Sequence, residues 1–455
     1  KKILSALKYA MNRTATDYTG QHIAMCLYGM QSMKTSQELD ELENLLSQIN
    51  ERLHKSTHNF SISNIASAMF GLKQMSTHSI VVRQTVKLLA RRLRSILGVE
   101  DFADKVTSQD IVMMMLGMQH MGSEVPEVQA FMNEVALLMD GSKVCLQGYE
   151  LSSALFSLKS MGGGKPINFN AQRLKGFDSG DNYDESNGLS DDDIDNDDIL
   201  NRRTAHINIP LNGKANSYHF RQTYTHWTSK IDRDKELIFT CTKKRFRLPS
   251  AFIALLSALE RKLTIRREPL TGPMICTALF GLQGLTADSV PVRKIVKHLA
   301  DDLSSIGNAP LAAQNIANAL FGLQNMTTKH QPVRLLLQAL SSAIDNSLSS
   351  NTSPSLTSST SFPNWTHANV FTAQSVGNSF YGLQGMSSDV HETRLVLRAL
   401  TRKVKEMPSL ETLKAFLMVS NEQKEKDLDG EVNISSYIMS GQNIGNALWG
   451  FKNMG

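Results

Sequence analysis

The nine-residue phrase NALFGLQNM at 318–326 returns as NSFYGLQGM at 378–386 and as NALWGFKNM at 446–454. With the central glycine as a ruler it also recurs at Gly29, Gly71, Gly117 and Gly281, and in a degenerate form at Ser157, which makes eight copies. Consecutive copies step by 42, 46, 40 and 41 residues, whereas steps of 124, 60 and 68 must hold insertions or a decayed repeat. A period near 40 marks a stack of helical hairpins, in which each repeat buries its apolar side only against its neighbours. The fold class expected is therefore all-α: an α-solenoid of two-helix repeats wound as a right-handed superhelix.

Each repeat splits into two helical patterns. In AAQNIANALFGLQNM, Ile316, Ala317, Ala319, Leu320, Phe321 and Leu323 crowd one broad arc at about 100° per residue, which predicts a core-facing first helix. In TADSVPVRKIVKHLADDL, Val292, Ile295, Val296, Leu299 and Leu303 form the narrower stripe of a second helix. Asp288 or Ser289 is placed to cap its start, and Pro291 suits its first turn, where a missing N–H costs nothing. A glycine late in the first helix weakens it by roughly 1 kcal/mol relative to alanine. Keeping it in seven of eight copies requires something to approach the backbone closely, either a neighbouring helix or the backbone of a bound ligand.

Helical repeats are expected at 1–161, 248–340 and 369–455, the last of them truncated as in a segment of a longer protein. Residues 162–247 read as a low-complexity insertion, acidic then basic and largely disordered, around which one repeat decays. Residues 341–368 read as a loop rich in serine and threonine. The tract Asp178–Asp198 holds ten of the 43 acidic residues, leaving 48 basic against 33 acidic residues elsewhere. Such a basic body suits an anionic partner. The four cysteines are far apart and form no CxxC, as expected of a reducing compartment, and no apolar run reaches the length of a membrane span.

Catalytic and metal signatures are missing from the sequence. GGGKP at 162–166 lacks the spacing of a phosphate loop. Asp193, Asp195 and Asp197 imitate half a calcium loop, but Asp198 stands where glycine is required and Thr204 where a bidentate glutamate belongs. No HExxH and no GxSxG occurs. Neither a metal nor a cofactor is expected, and the chain reads as non-catalytic.

Binding is a different matter. Eight, seven and four residues before the glycine, on the side away from the apolar arc, stand Gln21 and His22; Ser63, Asn64 and Ser67; Gln314, Asn315 and Asn318; Gln374, Ser375 and Asn378; Gln442, Asn443 and Asn446. Amides donate and accept without charge, as reading base edges requires, although they also suit contacts between repeats. The glutamines two after the glycine, such as Gln324, project into the apolar arc and are expected to hold the turn that follows. Second helices add cations at Arg83, Arg293, Arg334 and Arg394, with Lys87, Lys297 and Arg398 one turn on. Positive charge in a first turn opposes the helix dipole, so this row is a candidate track for phosphates. Arginine stems covering apolar surface are the alternative.

The two-helix repeat with its Q-x-[IV]-[AG]-N-[AS]-[LF]-[FYW]-G-[LF]-[QK]-x-M phrase resembles octotricopeptide and heptatricopeptide repeats of organellar proteins. It is also similar to the helical-repeat domain of the RNA-editing substrate-binding complex. The resemblance covers roughly 1–160 and 248–455. It implies an imported organellar protein, mitochondrial rather than plastid, that binds single-stranded RNA in its processing, stability or translation. The alternative is a protein-binding scaffold subunit of a large organellar assembly such as a mitochondrial ribosome.

Overall fold

The computed structural model describes residues 2–13, 17–33, 39–99, 102–161, 224–231, 237–243, 248–307, 310–347, 371–407, 438–452 and 454. They divide into two bodies, one formed by Lys1–Pro166 with Pro249–Gly455 and the other by Ile167–Leu248.

The first body is an α-solenoid. Its first helices, the A layer, are α2 (Gly20–Tyr28), α4 (Ile62–Gly71), α6 (Ser108–Gly117), α8 (Gly148–Phe156), α10 (Gly272–Gly281), α12 (Ala313–Gly322), α14 (Ala373–Gly382) and α16 (Gly441–Gly450). The B layer comprises α1 (Lys2–Arg13), α3 (Leu39–Lys55), α5 (Ile80–Leu97), α7 (Pro126–Gly141), α9 (Ser250–Thr264), α11 (Val290–Ser305), α13 (Gln331–Asn346) and α15 (His391–Lys405). Each A helix packs on the next A helix and each B helix on the next B helix. No helix of the described residues is long and apolar enough to cross a membrane.

Local chemistry sets the boundaries. Ten residues before the glycine, Thr19, Ser61, Thr107, Thr372 and Ser440 cap their A helices by accepting from the backbone N–H three residues on. After the glycine one tight turn follows, as where the N–H of Met326 bonds the Leu323 carbonyl at 2.8 Å. The methionine or leucine four residues past the glycine seals that turn: Met75, Met121, Met161, Leu285, Met326 and Met386 are all buried. B helices open with proline in the first turn at Pro126, Pro291 and Pro332. Ser289 is the N-cap residue of α11, as expected, but its hydroxyl makes no capping bond, whereas Ser79 caps α5 through the N–H of Val82.

The glycine is explained by a neighbouring helix. A β-carbon on Gly71, Gly117, Gly281, Gly322, Gly382 or Gly450 would fall well inside 3.0 Å of the backbone carbonyl of Leu27, Met69, Leu155, Leu279, Leu320 or Phe380 respectively. Each of these carbonyls lies two residues before the glycine, or before Ser157, of the preceding repeat. The A helices thus meet backbone to backbone. Gly29, in the first repeat, meets only carbonyls of its own helix, at 3.4 and 3.5 Å.

Three expectations change. No repeat decays around the first insertion: α8 packs on α10 and α7 on α9, so the insertion separates the A and B helices of one intact fourth repeat. Within 162–247, Tyr224–Ile231 (β1) and Leu237–Lys243 (β2) pair antiparallel, with Ile231 opposite Leu237 and Thr228 opposite Thr240. Threonine, isoleucine and aromatic residues favour that ladder, which a search for helical periodicity passes over; the acidic tract lies outside the described residues. The serine-rich loop begins later than 341, because α13 runs to Asn346 with Ser341, Ala343 and Ile344 buried in continuation of its apolar stripe. Its remainder, 348–368, is outside the described residues.

Candidate nucleic-acid interface

Positions eight, four and one before the glycine share one face of each A helix. At the first of these, Gln21, Ser63, Gln314, Gln374 and Gln442 are all exposed. At the second, Ser67, Asn318, Asn378 and Asn446 are half-buried. The amide of Gln314 donates to Asn318 Oδ1 at 2.9 Å, so the two side chains of that repeat form one unit.

Seven residues before the glycine the side chain has a different task. His22 Nδ1 and Asn64 Oδ1 accept from the N–H of the N-cap residues Thr19 and Ser61, at 3.5 and 3.1 Å, while Ser375 Oγ bonds Thr372 Oγ1 at 2.9 Å. The first two close capping boxes; the third is a bond between hydroxyls beside the cap. Asn315 and Asn443 occupy the same helical position and are half-buried.

The third position on that face carries a row of rings that sequence reasoning assigned to the core or overlooked. Tyr28 stacks on Phe70 with centroids 5.8 Å apart. Phe156, Phe280, Phe321 and Tyr381 form a continuous ladder at 6.0, 5.9 and 5.6 Å, and Trp449 stands at the same place in the last repeat. Leu116 interrupts the row. Tyr28 and Trp449 are 41% and 43% exposed and the others, except the buried Phe321, are half-buried. The repeats are therefore not poor in accessible aromatics. The available signal was the aromatic residue before the glycine in seven of eight copies.

Two residues past the glycine, the ammonium groups of Lys73, Lys159 and Lys452 lie 4.1, 4.3 and 4.5 Å from the ring centroids of Phe70, Phe156 and Trp449. Burial pushes the Lys159 ammonium below the usual lysine value. Where glutamine stands instead, it reaches back rather than forward: Gln119 donates to the Lys73 carbonyl, Gln283 to that of Lys159 and Gln324 to that of Gln283, at 3.4, 3.3 and 3.1 Å. The expected hold on the following turn is replaced by a ladder between equivalent backbone positions, because close A-helix approach brings the preceding turn within reach.

The cations of the B helices are mostly engaged. Arg293 donates to the carbonyls of Ala287 and Asp288, and Arg394 to those of Ser388 and Asp389, at 2.7–3.0 Å, so the carbonyl dipoles of the turn stabilise each guanidinium. Arg83 and Arg334 are half-buried. Lys297 pairs with Asp301 at 2.7 Å, while Lys87 and Arg398 are exposed. These residues belong to the B layer and the amides to the A layer, so the two rows do not line a single face. Lys73, Lys159 and Lys452 stand instead in the A layer, over rings that share the amide face.

Among the described residues no three His, Cys, Asp or Glu side chains converge as metal ligands would. Cys276, buried in α10, has its thiol pushed up to about 12 by desolvation, so it stays protonated at neutral pH. Native protein treated with iodoacetamide at pH 8 should be labelled at the half-buried Cys145 and not at Cys276, which reacts only after denaturation; peptide mass mapping reads the difference. Because the folded thiol holds its proton beyond the ordinary value of 9.0, this contribution to stability is complete below pH 9 and declines as pH rises towards 12. No family model, curated protein or solved structure matches the chain.

Proposed function

We propose that the protein is a non-catalytic single-stranded RNA-binding repeat protein of an organelle, mitochondrial rather than plastid, acting in RNA processing, stability or translation. The observation that carries the reading is the A-layer face, where each repeat contributes exposed polar side chains, usually an aromatic ring, and a lysine or glutamine in register with its neighbours. Rings offer stacking to any base, amides offer hydrogen bonds to base edges, and lysines attract phosphates. The organellar assignment rests on the resemblance of the repeat alone.

Binding to pooled single-stranded RNA across a salt series tests the reading. The informative variant changes Lys73, Lys159 and Lys452 together to glutamine, the residue that other repeats carry at that place. Submicromolar affinity at low salt is expected, with the slope of log affinity against log salt shallower by about 2 in the variant, at roughly 0.7 per lost phosphate contact. A folded sample that binds no RNA at low salt sinks the proposal. It would favour the second reading, a protein-binding scaffold subunit of an organellar assembly.

A further inference from the structure

The last three repeats carry the same pair of amides. Gln314 with Asn318 on α12, Gln374 with Asn378 on α14 and Gln442 with Asn446 on α16 occupy the positions eight and four before the glycine. In the sequence these pairs are separated by 60 and 68 residues. In the fold they are immediate neighbours, because α12 packs on α14 and α14 on α16. The contact of Ser375 Oγ with Gln314 Oε1 at 3.4 Å crosses from one to the next. No other repeat repeats the pair: the five before them carry Gln21 and Met25, Ser63 and Ser67, Gln109 and Met113, Tyr149 and Ser153, Pro273 and Thr277.

Resting on the RNA-binding reading above, we propose that repeats six to eight recognise three consecutive adenines. Helical repeats that read single strands assign one base to each repeat through two or three side chains, so identical pairs in adjacent repeats read identical bases. The kind of base follows from the side chains. Guanine is matched by arginine or lysine and cytosine by a carboxylate, and neither type stands at these six positions. An amide presents a donor and an acceptor together and binds bidentately to the N7 acceptor and N6 amino donor of adenine, with uracil, whose N3–H and O4 are open in a single strand, as the competitor that the UUU arm below tests. The rings of the half-buried Tyr381 and the exposed Trp449, one turn along the same face, add a stacking surface beside the second and third pairs.

The test compares affinities of the chain for 12-nucleotide RNAs that share one mixed flank and differ only in a central AAA, UUU, CCC or GGG. A second protein carries Gln314→Ser, Gln374→Ser and Gln442→Ser, which imports the residue found at Ser63 and touches only exposed positions. The expected result is that AAA binds at least tenfold more tightly than each of the others, and that the triple variant keeps its helical content and melting midpoint while its affinity for AAA falls and the preference collapses to less than threefold. Equal binding of all four RNAs, preference for another triplet, or an AAA preference that survives in the variant overturns the proposal and leaves the RNA-binding reading standing. Absence of binding to every RNA at low salt overturns both.

Discussion

Gly322→Ala is expected to lower stability by about 3 kcal/mol, whereas Gly29→Ala raises it by up to about 1 kcal/mol. The chemical change is the same and the sign differs because the surroundings differ. At Gly322 the new methyl group would fall on the Leu279 carbonyl, and this is backbone in the middle of a packed layer, which cannot rotate away. The A helices would have to part. At Gly29 the nearest atoms are the carbonyls of Met25 and Cys26 in its own helix, the backbone is right-handed helical with φ −59° and ψ −20°, and the methyl group fits beside those carbonyls at ordinary distances. Alanine there restricts the unfolded chain at no steric cost. Stacked repeats unfold locally, so hydrogen exchange in α10 and α12 is the sharper readout, alongside denaturant midpoints. Equal effects at the two glycines would show that helix propensity, not the carbonyl contact, governs the position.

Ser157 is the natural version of this experiment. Its hydroxyl bonds the carbonyl of Ala154 at 2.6 Å and the residue is fully buried, but the helix does not continue regularly past it. Where six of the other copies carry α-helix through the glycine, here α8 ends at Phe156, as α2 ends at Tyr28, and a short 3-10 segment takes over from Ser157 to Ser160. The repeat tolerates one small polar side chain by tightening the turn. It is also the repeat into which the longest insertion is spliced.

The repeat count, the two helices of each repeat and the close approach at the glycine were all legible in the sequence, because period and apolar spacing report directly which face is buried. What periodicity cannot report is the partner on the other side of a contact. Gln324 was recognisable as a polar residue needing satisfaction, yet its acceptor, the carbonyl of Gln283, lies 41 residues away and becomes near only once helices stack. His22 and Asn64 stand three residues after Thr19 and Ser61, the spacing of a capping box, but the same side chains also fit an exposed polar row, and spacing alone does not say whether a polar group turns back to the cap or out to solvent. The ring row failed for a third reason. An aromatic beside the glycine sits at the border of the apolar arc, and whether such a ring is core or surface depends on how closely the next repeat approaches.

The other large effect belongs to the B layer, where cations hold the ends of preceding helices. Arg52 donates to the Met11 carbonyl at 2.6 Å, Arg92 to those of Leu53 and Ser56 at 2.9 and 2.5 Å, and Lys403 to that of Ser347 at 2.9 Å. Lys262 makes the same contact across the long insertion, reaching the carbonyls of Ser142 and Val144 at 2.9 and 2.8 Å just past the end of α7. A positive group at a helix C-terminus satisfies carbonyls that have no partner within the helix and interacts favourably with the negative end of the dipole. Lys262→Met is therefore expected to destabilise by about 3 kcal/mol, since it leaves buried acceptors without their charged donor. Lys294→Met, at an exposed lysine 3.6 Å from Glu260, should cost under about 1 kcal/mol. Desolvation holds the Lys262 ammonium below the usual 10.5, against the opposing pull of Asp140. Between its folded-state value and 10.5 the unfolded chain binds more protons, so the stability gained from this site rises with pH. The difference between parent and Met variant in urea should accordingly widen from pH 7 to pH 10. A gap no larger than that of Lys294→Met would mean that the end of α7 is satisfied without Lys262, and the insertion would then be bridged by apolar packing alone; a gap of about 3 kcal/mol that stays constant with pH would overturn only the lowered ammonium.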